Sequence, residues 1–154
     1  PFVVKSRAGH GGSEVFLVKN GEEYAAVQEK LADTPYILQA FCDEPGVDVR
    51  AYVMGDQVMA AVKRTSKTDF RSNFSLGGQA GLFALTREQQ RAVGKLQKVL
   101  NSDYIGIDFI RHQEQWVVNE IEDAAGARML YSLTDVDFIG RYWDQIEKRL
   151  EERE

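Results

Sequence analysis

The sequence predicts an α+β chain: a small β-β-α-β lobe over residues 1–43, then a larger lobe of antiparallel sheet and helices over residues 44–154. Three observations predict it. Short β-branched runs alternate with segments of helical period, a hairpin pattern stands near the middle of the chain, and the composition changes at the polar stretch "CDEPG".

Residues 2–5 and 15–18 are apolar, β-branched runs separated by "SRAGHGGSE", which reads as strand, glycine-rich loop, strand. Asn20 with Glu23 forms a helix-start pair, and Tyr24, Val27 and Leu31 fall on one face, so a helix is expected over residues 21–31. Asp33, Thr34 and Pro35 end it, and "YILQAF" supplies another strand. From Val47 the pattern "VDVRAYV" alternates with period two, turns at Gly55 and Asp56, and returns as "QVMAAVKR", a hairpin. The stretch "TSKTDFRSNFSLGGQ" reads as polar connection. Thr86 with Gln89 makes a capping box for a helix whose Val93, Leu96 and Leu100 share a face. "YIGIDFIR" and "WVVNEIE" are two strands joined across "HQEQ". Thr134 and Asp137 mark a last helix, with Ile139, Trp143, Ile146 and Leu150 as its expected buried stripe.

With 154 residues and 44% hydrophobic content the chain can bury a substantial core. The net charge of −5 gives little attraction to phosphate backbones, so nucleic acid is not an expected partner. No apolar run approaches the roughly 20 residues of a membrane helix, and no signal segment opens the chain. A cytoplasmic protein without a membrane partner is the expectation. The single Cys42 rules out an internal disulfide. "PFVVKS" reads as a strand already under way, so a fragment of a longer protein is expected.

The segment "GHGGSEV" lets the backbone approach an anion and aim its N–H groups at it, as a phosphate cover would; the same glycines also suit an ordinary hairpin. It matches neither the dinucleotide fingerprint nor the P-loop. Lys5 reads equally as a phosphate-binding cation or a charge at a strand end. Asp108, Glu120 and Glu122 are more informative, because acids inside otherwise apolar strands need cations. Glu120 and Glu122 share a strand face. Asp108 joins them if the connection holds an odd number of residues, or an even number corrected by a β-bulge. Such an oxygen cluster suits magnesium, and the competing reading is salt bridges to Arg50 or Arg71. In "DFRSN", Arg71 offers a fork donor beside Ser72 and Asn73, suited to phosphate or carboxylate, or to a structural salt bridge. His10 and His112 read as loop and turn residues.

Taken in order, "FVVKSRAGHGGSEVFLV", "YILQAFCDEPGVDVRAYVMGDQVMAAVKRT", "DFRSNFSLGGQA", "LTREQQ", "GIDFIR" and "VVNEIE" resemble the RimK-like branch of the ATP-grasp superfamily. The resemblance implies an ATP-grasp fold and an ATP-dependent carboxylate-amine or carboxylate-thiol ligase acting through an acyl-phosphate with magnesium-ATP, manganese being the alternative ion. The partners it implies are a small-molecule or peptide carboxylate and an amine or thiol nucleophile, with a homo-oligomer as an option for the full-length protein. An ATP-binding regulatory or degenerate module without ligase activity is the alternative, and an interaction domain with an acidic cleft is a third. Carried onto this chain, Lys5 and the loop of Gly9, His10, Gly11, Gly12 and Ser13 would bind phosphates. Gln39, Ala40, Phe41 and Cys42 would form the adenine-side hinge, and Asp48 would reach the ribose. Arg71 and Asn73 would stabilise the transferred phosphoryl or acyl-phosphate, while Asp108, Glu120 and Glu122 would hold magnesium. Three positions depart from the family: Ala40 stands where the hinge usually has Glu, Glu122 replaces the Asn of the metal motif, and "DAAGARMLY" replaces the usual continuation.

Overall fold

The computed structural model describes residues 1–9, 11–72 and 78–152. Strands β1 (Phe2–Ser6), β2 (Val15–Val18) and β3 (Tyr36–Ala40) form a three-stranded antiparallel sheet in the order β2-β1-β3. Helix α1 (Gly21–Leu31) packs on one face, where Val4, Val18 and Leu31 make a small core with Phe2, Phe16, Tyr24, Val27 and Tyr36. Alternation sends Val3 and Lys5 to the other face, where Gln39 lies directly beside Val3.

The second sheet has five strands in the order β6-β5-β4-β7-β8, comprising β4 (Val47–Met54), β5 (Gln57–Thr65), β6 (Gln79–Leu82), β7 (Tyr104–His112) and β8 (Gln115–Glu122). One face carries Val49, Ala51, Val53, Ile105, Ile107 and Phe109 and is covered by α2 (Arg87–Leu100), whose capping box at Thr86 and Gln89 forms as expected. The other face divides. One end, at Tyr52, Met54 and Tyr104, is covered by α3 (Arg128–Leu133) and the start of α4 (Phe138–Glu151); the remainder, at Asp48, Arg50 and Asp108, is left open toward the three-stranded sheet.

Three sequence expectations are corrected. Strand β6 and helix α3 form in segments to which the sequence reading assigned no element. In α4 the packed face is Phe138, Tyr142, Gln145 and Arg149. Phe138 and Tyr142 contact Tyr104 (ring centroids 4.7 and 6.3 Å), while Gln145 and Arg149 donate to Asp103. The expected stripe lies one residue, or about 100° of helix, away: Ile139, Trp143 and Leu150 are exposed, and only Ile146 is half-buried.

Gly46 fixes the start of β4. It sits at φ +77°, donates to the Phe70 carbonyl at 2.7 Å and accepts from the Ser66 amide at 2.7 Å, which pins residues 66–70 over the strand entry. A Cβ there would lie 2.6 Å from the Ser66 carbonyl oxygen and 2.8 Å from that of Asp69, both backbone atoms. Gly46→Ala is therefore expected to lose about 2–4 kcal/mol, from the left-handed backbone and the overlap together. A urea midpoint unchanged from wild type would show that the segment yields freely.

Candidate active site

A single face of the five-stranded sheet concentrates the charge. Asp48 pairs with Arg64 across β4 and β5, Arg50 pairs with Asp108 across β4 and β7, and Asp108 pairs with Glu120 across β7 and β8. Direct partners share a face, so pairing alone brings these side chains together. The β7–β8 turn has only two residues, Gln113 and Glu114, both with positive φ. By itself this would set Asp108 opposite Asn119. The register instead shifts between Asp108 and Phe109, leaving Asn119 as the extra residue of a bulge and restoring Glu120 to the face of Asp108. The even loop corrected by a bulge is thus the solution adopted.

The acids do not stand free. Arg50 forks onto Asp108 with two hydrogen bonds of 2.7 Å and also pairs with Glu122. Arg64 grips Asp48 through two bonds and reaches Asp108 at 2.6 Å. Burial opposes ionisation of Asp108, but the bonds from Arg50 and the charges of Arg64 and Arg50 outweigh it and hold the carboxyl below the usual carboxylate range. Among the described residues no three His, Cys, Asp or Glu side chains are grouped closely enough to hold a metal ion. Asp108 serves here as an arginine counter-ion, while Glu120 remains exposed to the cleft. Gly106 contributes by absence: a Cβ there would lie 2.7 Å from that of Ala125 and 3.4 Å from Arg50 Cδ.

Between the two sheets lies a cleft of about 200 Å³, below the roughly 300–1,000 Å³ of typical small-ligand sites. Polar contacts bridge it. Lys5 Nζ donates to Asn119 Oδ1 at 2.8 Å, and Arg71, forked onto Asp69, donates through Nη1 to the Gly12 carbonyl at 2.5 Å. Burial lowers the Lys5 pKa, against the opposing charges of Glu120 and Asp108.

Of the residues singled out in the sequence, the cleft gathers Lys5, Gly9, Gly11, Gly12, Gln39, Phe41, Cys42, Asp48, Arg71, Asp108, Glu120 and Glu122. Ala40 pairs with Phe2 on the α1 side of its sheet, and Ser13 lines a neighbouring hollow beside Arg71. His10 and Asn73 lie outside the described residues. The sequence reading missed Arg64 and Asn119 and treated Arg50 only as a salt-bridge partner. The alternation from Asp48 to Arg50 was a usable signal for Arg50, whereas Asn119 reaches the cleft through a bulge that periodicity does not reveal.

Residues 1–146 match the RimK-like ATP-grasp domain. The chain belongs to this family. Among relatives of this ATP-grasp chain, a probable alpha-L-glutamate ligase of Histophilus somni is 33% identical over 153 residues, covering 97% of this chain and 51% of that protein. The uncharacterized protein MG011 of Mycoplasma genitalium is 38% identical over 135 residues, covering 86% of this chain and 47% of that protein. The chain thus spans about half the length of these curated relatives. The fold is also that of solved ATP-grasp enzymes. The ATP-grasp ligase PsnB, complexed with a precursor variant, Mg and ADP, superposes with a TM-score of 0.71 at 21% identity over 97% of this chain and 46% of that one. D-alanine–D-alanine ligase of Bacillus anthracis gives 0.71 at 15% identity over 99% and 56%. The α+β ATP-grasp architecture expected from sequence is the one observed. None of the described helices is long and apolar enough to cross a membrane.

Proposed function

We propose that the protein containing this chain is an ATP-dependent ligase that joins a carboxylate to an amine, or to a thiol, through an acyl-phosphate. The observation that carries the reading is one cleft in a RimK-like ATP-grasp chain where Lys5, the glycine turn, Arg71 and the acids of β7 and β8 face each other. We read residues 1–43 and 44–154 as the lobes that close on the nucleotide, and the site as cytoplasmic.

In this reading Lys5 and the N–H groups around Gly9, Gly11 and Gly12 hold phosphate oxygens. Gln39, Phe41 and Cys42 border the adenine, with Phe41 and Phe70 (centroids 6.3 Å apart) as an apolar wall. Asp48 faces the ribose while anchoring Arg64. Arg71, with Asn73, steadies the transferred phosphoryl. A carboxylate oxygen attacks the γ-phosphorus and ADP leaves. The amine nitrogen then attacks the acyl carbon, phosphate leaves, the nucleophile's proton passes to solvent, and an amide remains.

The donor set fits a divalent ion that arrives with the nucleotide. Four cations (Lys5, Arg50, Arg64, Arg71) and five acids (Glu14, Asp48, Asp108, Glu120, Glu122) line the cleft, so it is near neutral and offers a tetra-anionic ATP no large positive field. Magnesium needs only one or two carboxylates besides phosphates and waters, and Glu120 with Glu122 could supply them, Asp108 standing behind. Bound there, Mg2+, or Mn2+ as the alternative, would offset phosphate charge. The commitment of Asp108 to two arginines favours a second reading, a nucleotide-binding module without ligase activity.

Glutamate is the first carboxylate or amine donor to try, from the names of the relatives, with peptides as acceptors. The test is full-length protein with Mg-ATP and these substrates, plus hydroxylamine to capture the acyl-phosphate as a hydroxamate. ADP release that depends on both substrates, with hydroxamate formation, is expected. Tight Mg-ATP binding without ADP release over a broad amino-acid and peptide panel would favour the module without activity.

A further inference from the structure

We propose that Asn119 is a positioning residue for Lys5, a neutral tether across the cleft that aims the ammonium at the nucleotide phosphates and yields it when they arrive. The proposal rests on the nucleotide-binding reading above and adds a residue to it.

The bulge makes Asn119 available. In an uninterrupted β8, Asn119 and Glu120 would point to opposite faces, and only one could meet the cleft. With Asn119 as the inserted residue, both line it, and Asp108 still pairs with Glu120. The sheet therefore presents an amide and a carboxylate side by side to one lysine on the other sheet. Lys5 takes the amide, at 2.8 Å.

That choice has a physical consequence. A carboxylate would hold the ammonium in a charge-assisted bond roughly twice as strong as a neutral one and would repel incoming phosphate. An amide oxygen satisfies one of the three ammonium donors, fixes a side chain that otherwise loses much rotamer freedom on binding, and competes weakly with phosphate. Burial lowers the Lys5 pKa, which fits an ammonium held by a neutral partner in a partly desolvated cleft.

Asn119→Leu keeps the branched shape and removes the acceptor; Asn119→Gln keeps the amide on a longer stem. In full-length protein, Asn119→Leu is expected to raise KM for Mg-ATP about tenfold, the scale of one lost positioning hydrogen bond, with kcat changed by less than about threefold. Asn119→Gln should restore part of the loss. A second readout needs no turnover: modification of Lys5 by an amine-reactive reagent, followed by peptide mass spectrometry on ligand-free protein, should be at least about threefold faster in Asn119→Leu once the tether is gone. Unchanged Lys5 reactivity in a folded Asn119→Leu protein overturns the tether. A tether present by reactivity, with KM for Mg-ATP unchanged, overturns its role in aiming the lysine. Failure of the wild type to bind Mg-ATP, with reactivity still responding to Asn119→Leu, would instead sink the nucleotide reading.

Discussion

Replacing Arg50 by methionine is expected to destabilise the fold by about 3–5 kcal/mol, the scale for removing one partner of a buried ion pair. Asp108 is only 2% exposed, and Arg50 supplies two of its hydrogen bonds at 2.7 Å. Without that guanidinium the carboxylate keeps a single bond from Arg64, which is already forked onto Asp48. Against a typical total stability of roughly 5–15 kcal/mol, a loss of this size is severe. The urea midpoint of the full-length variant measures it. The double variant Arg50→Met with Asp108→Leu should recover part of the loss, because it removes the stranded charge. A single variant costing under about 1 kcal/mol would mean that water reaches Asp108 and that the arginine cluster is not the structural centre of this face.

Glu120→Gln is expected to act on chemistry and leave stability alone. Its carboxylate is exposed to the cleft, with no ion pair to a guanidinium among the described residues, so neutralising it breaks no buried ion pair; half-buried Lys5 loses one nearby opposite charge and keeps its bond to Asn119. Under the proposed function it is the acid best placed to meet a divalent ion carried by phosphates. Its loss should lower magnesium-dependent ADP formation on the order of 100-fold, the scale for removing one preorganised electrostatic partner. The apparent magnesium requirement should rise, with the urea midpoint within about 0.5 kcal/mol of wild type. A magnesium titration of turnover in the full-length variant that superimposes on wild type would remove Glu120 from the proposed ion site. It would leave the fold and the family untouched.

The two variants separate roles that the sequence had run together. Asp108, Glu120 and Glu122 look alike in sequence, as acids in apolar strands. Asp108 is buried and enclosed by arginines, Glu122 is half-exposed with one arginine partner, and Glu120 faces the cleft. Substitution of Asp108 is thus a question about folding first, and substitution of Glu120 one about the proposed reaction.

Much of this protein is determined by sequence alone, wherever the deciding physics is local. Helix starts at Asn20 and Thr86 depend on side chains capping amides three residues ahead, and both caps form; of the expected pair Thr134 and Asp137, Asp137 caps α4 through the Gly140 amide, while Thr134 closes the end of α3. The turn at Gly55 and Asp56 depends on a residue that tolerates positive φ. Period-two alternation placed Asp48 and Arg50 on one face of β4, and strand parity reduced the meeting of Asp108 and Glu120 to a choice between loop lengths and a bulge. Tertiary structure decided the rest. The two-residue turn and the bulge at Asn119 act together, and no hydrophobic pattern distinguishes that pair from a longer loop, because both place the same apolar residues in the core. The partners of Asp108 come from β4 and β5, 58 and 44 positions away in the chain, and follow from strand order. In α4 the more apolar stripe, Ile139, Trp143, Ile146 and Leu150, is not the one that packs. The aromatic cluster of Tyr104, Phe138 and Tyr142, with Asp103 anchoring Gln145 and Arg149, selects the neighbouring stripe, and a helix cannot bury both against one sheet.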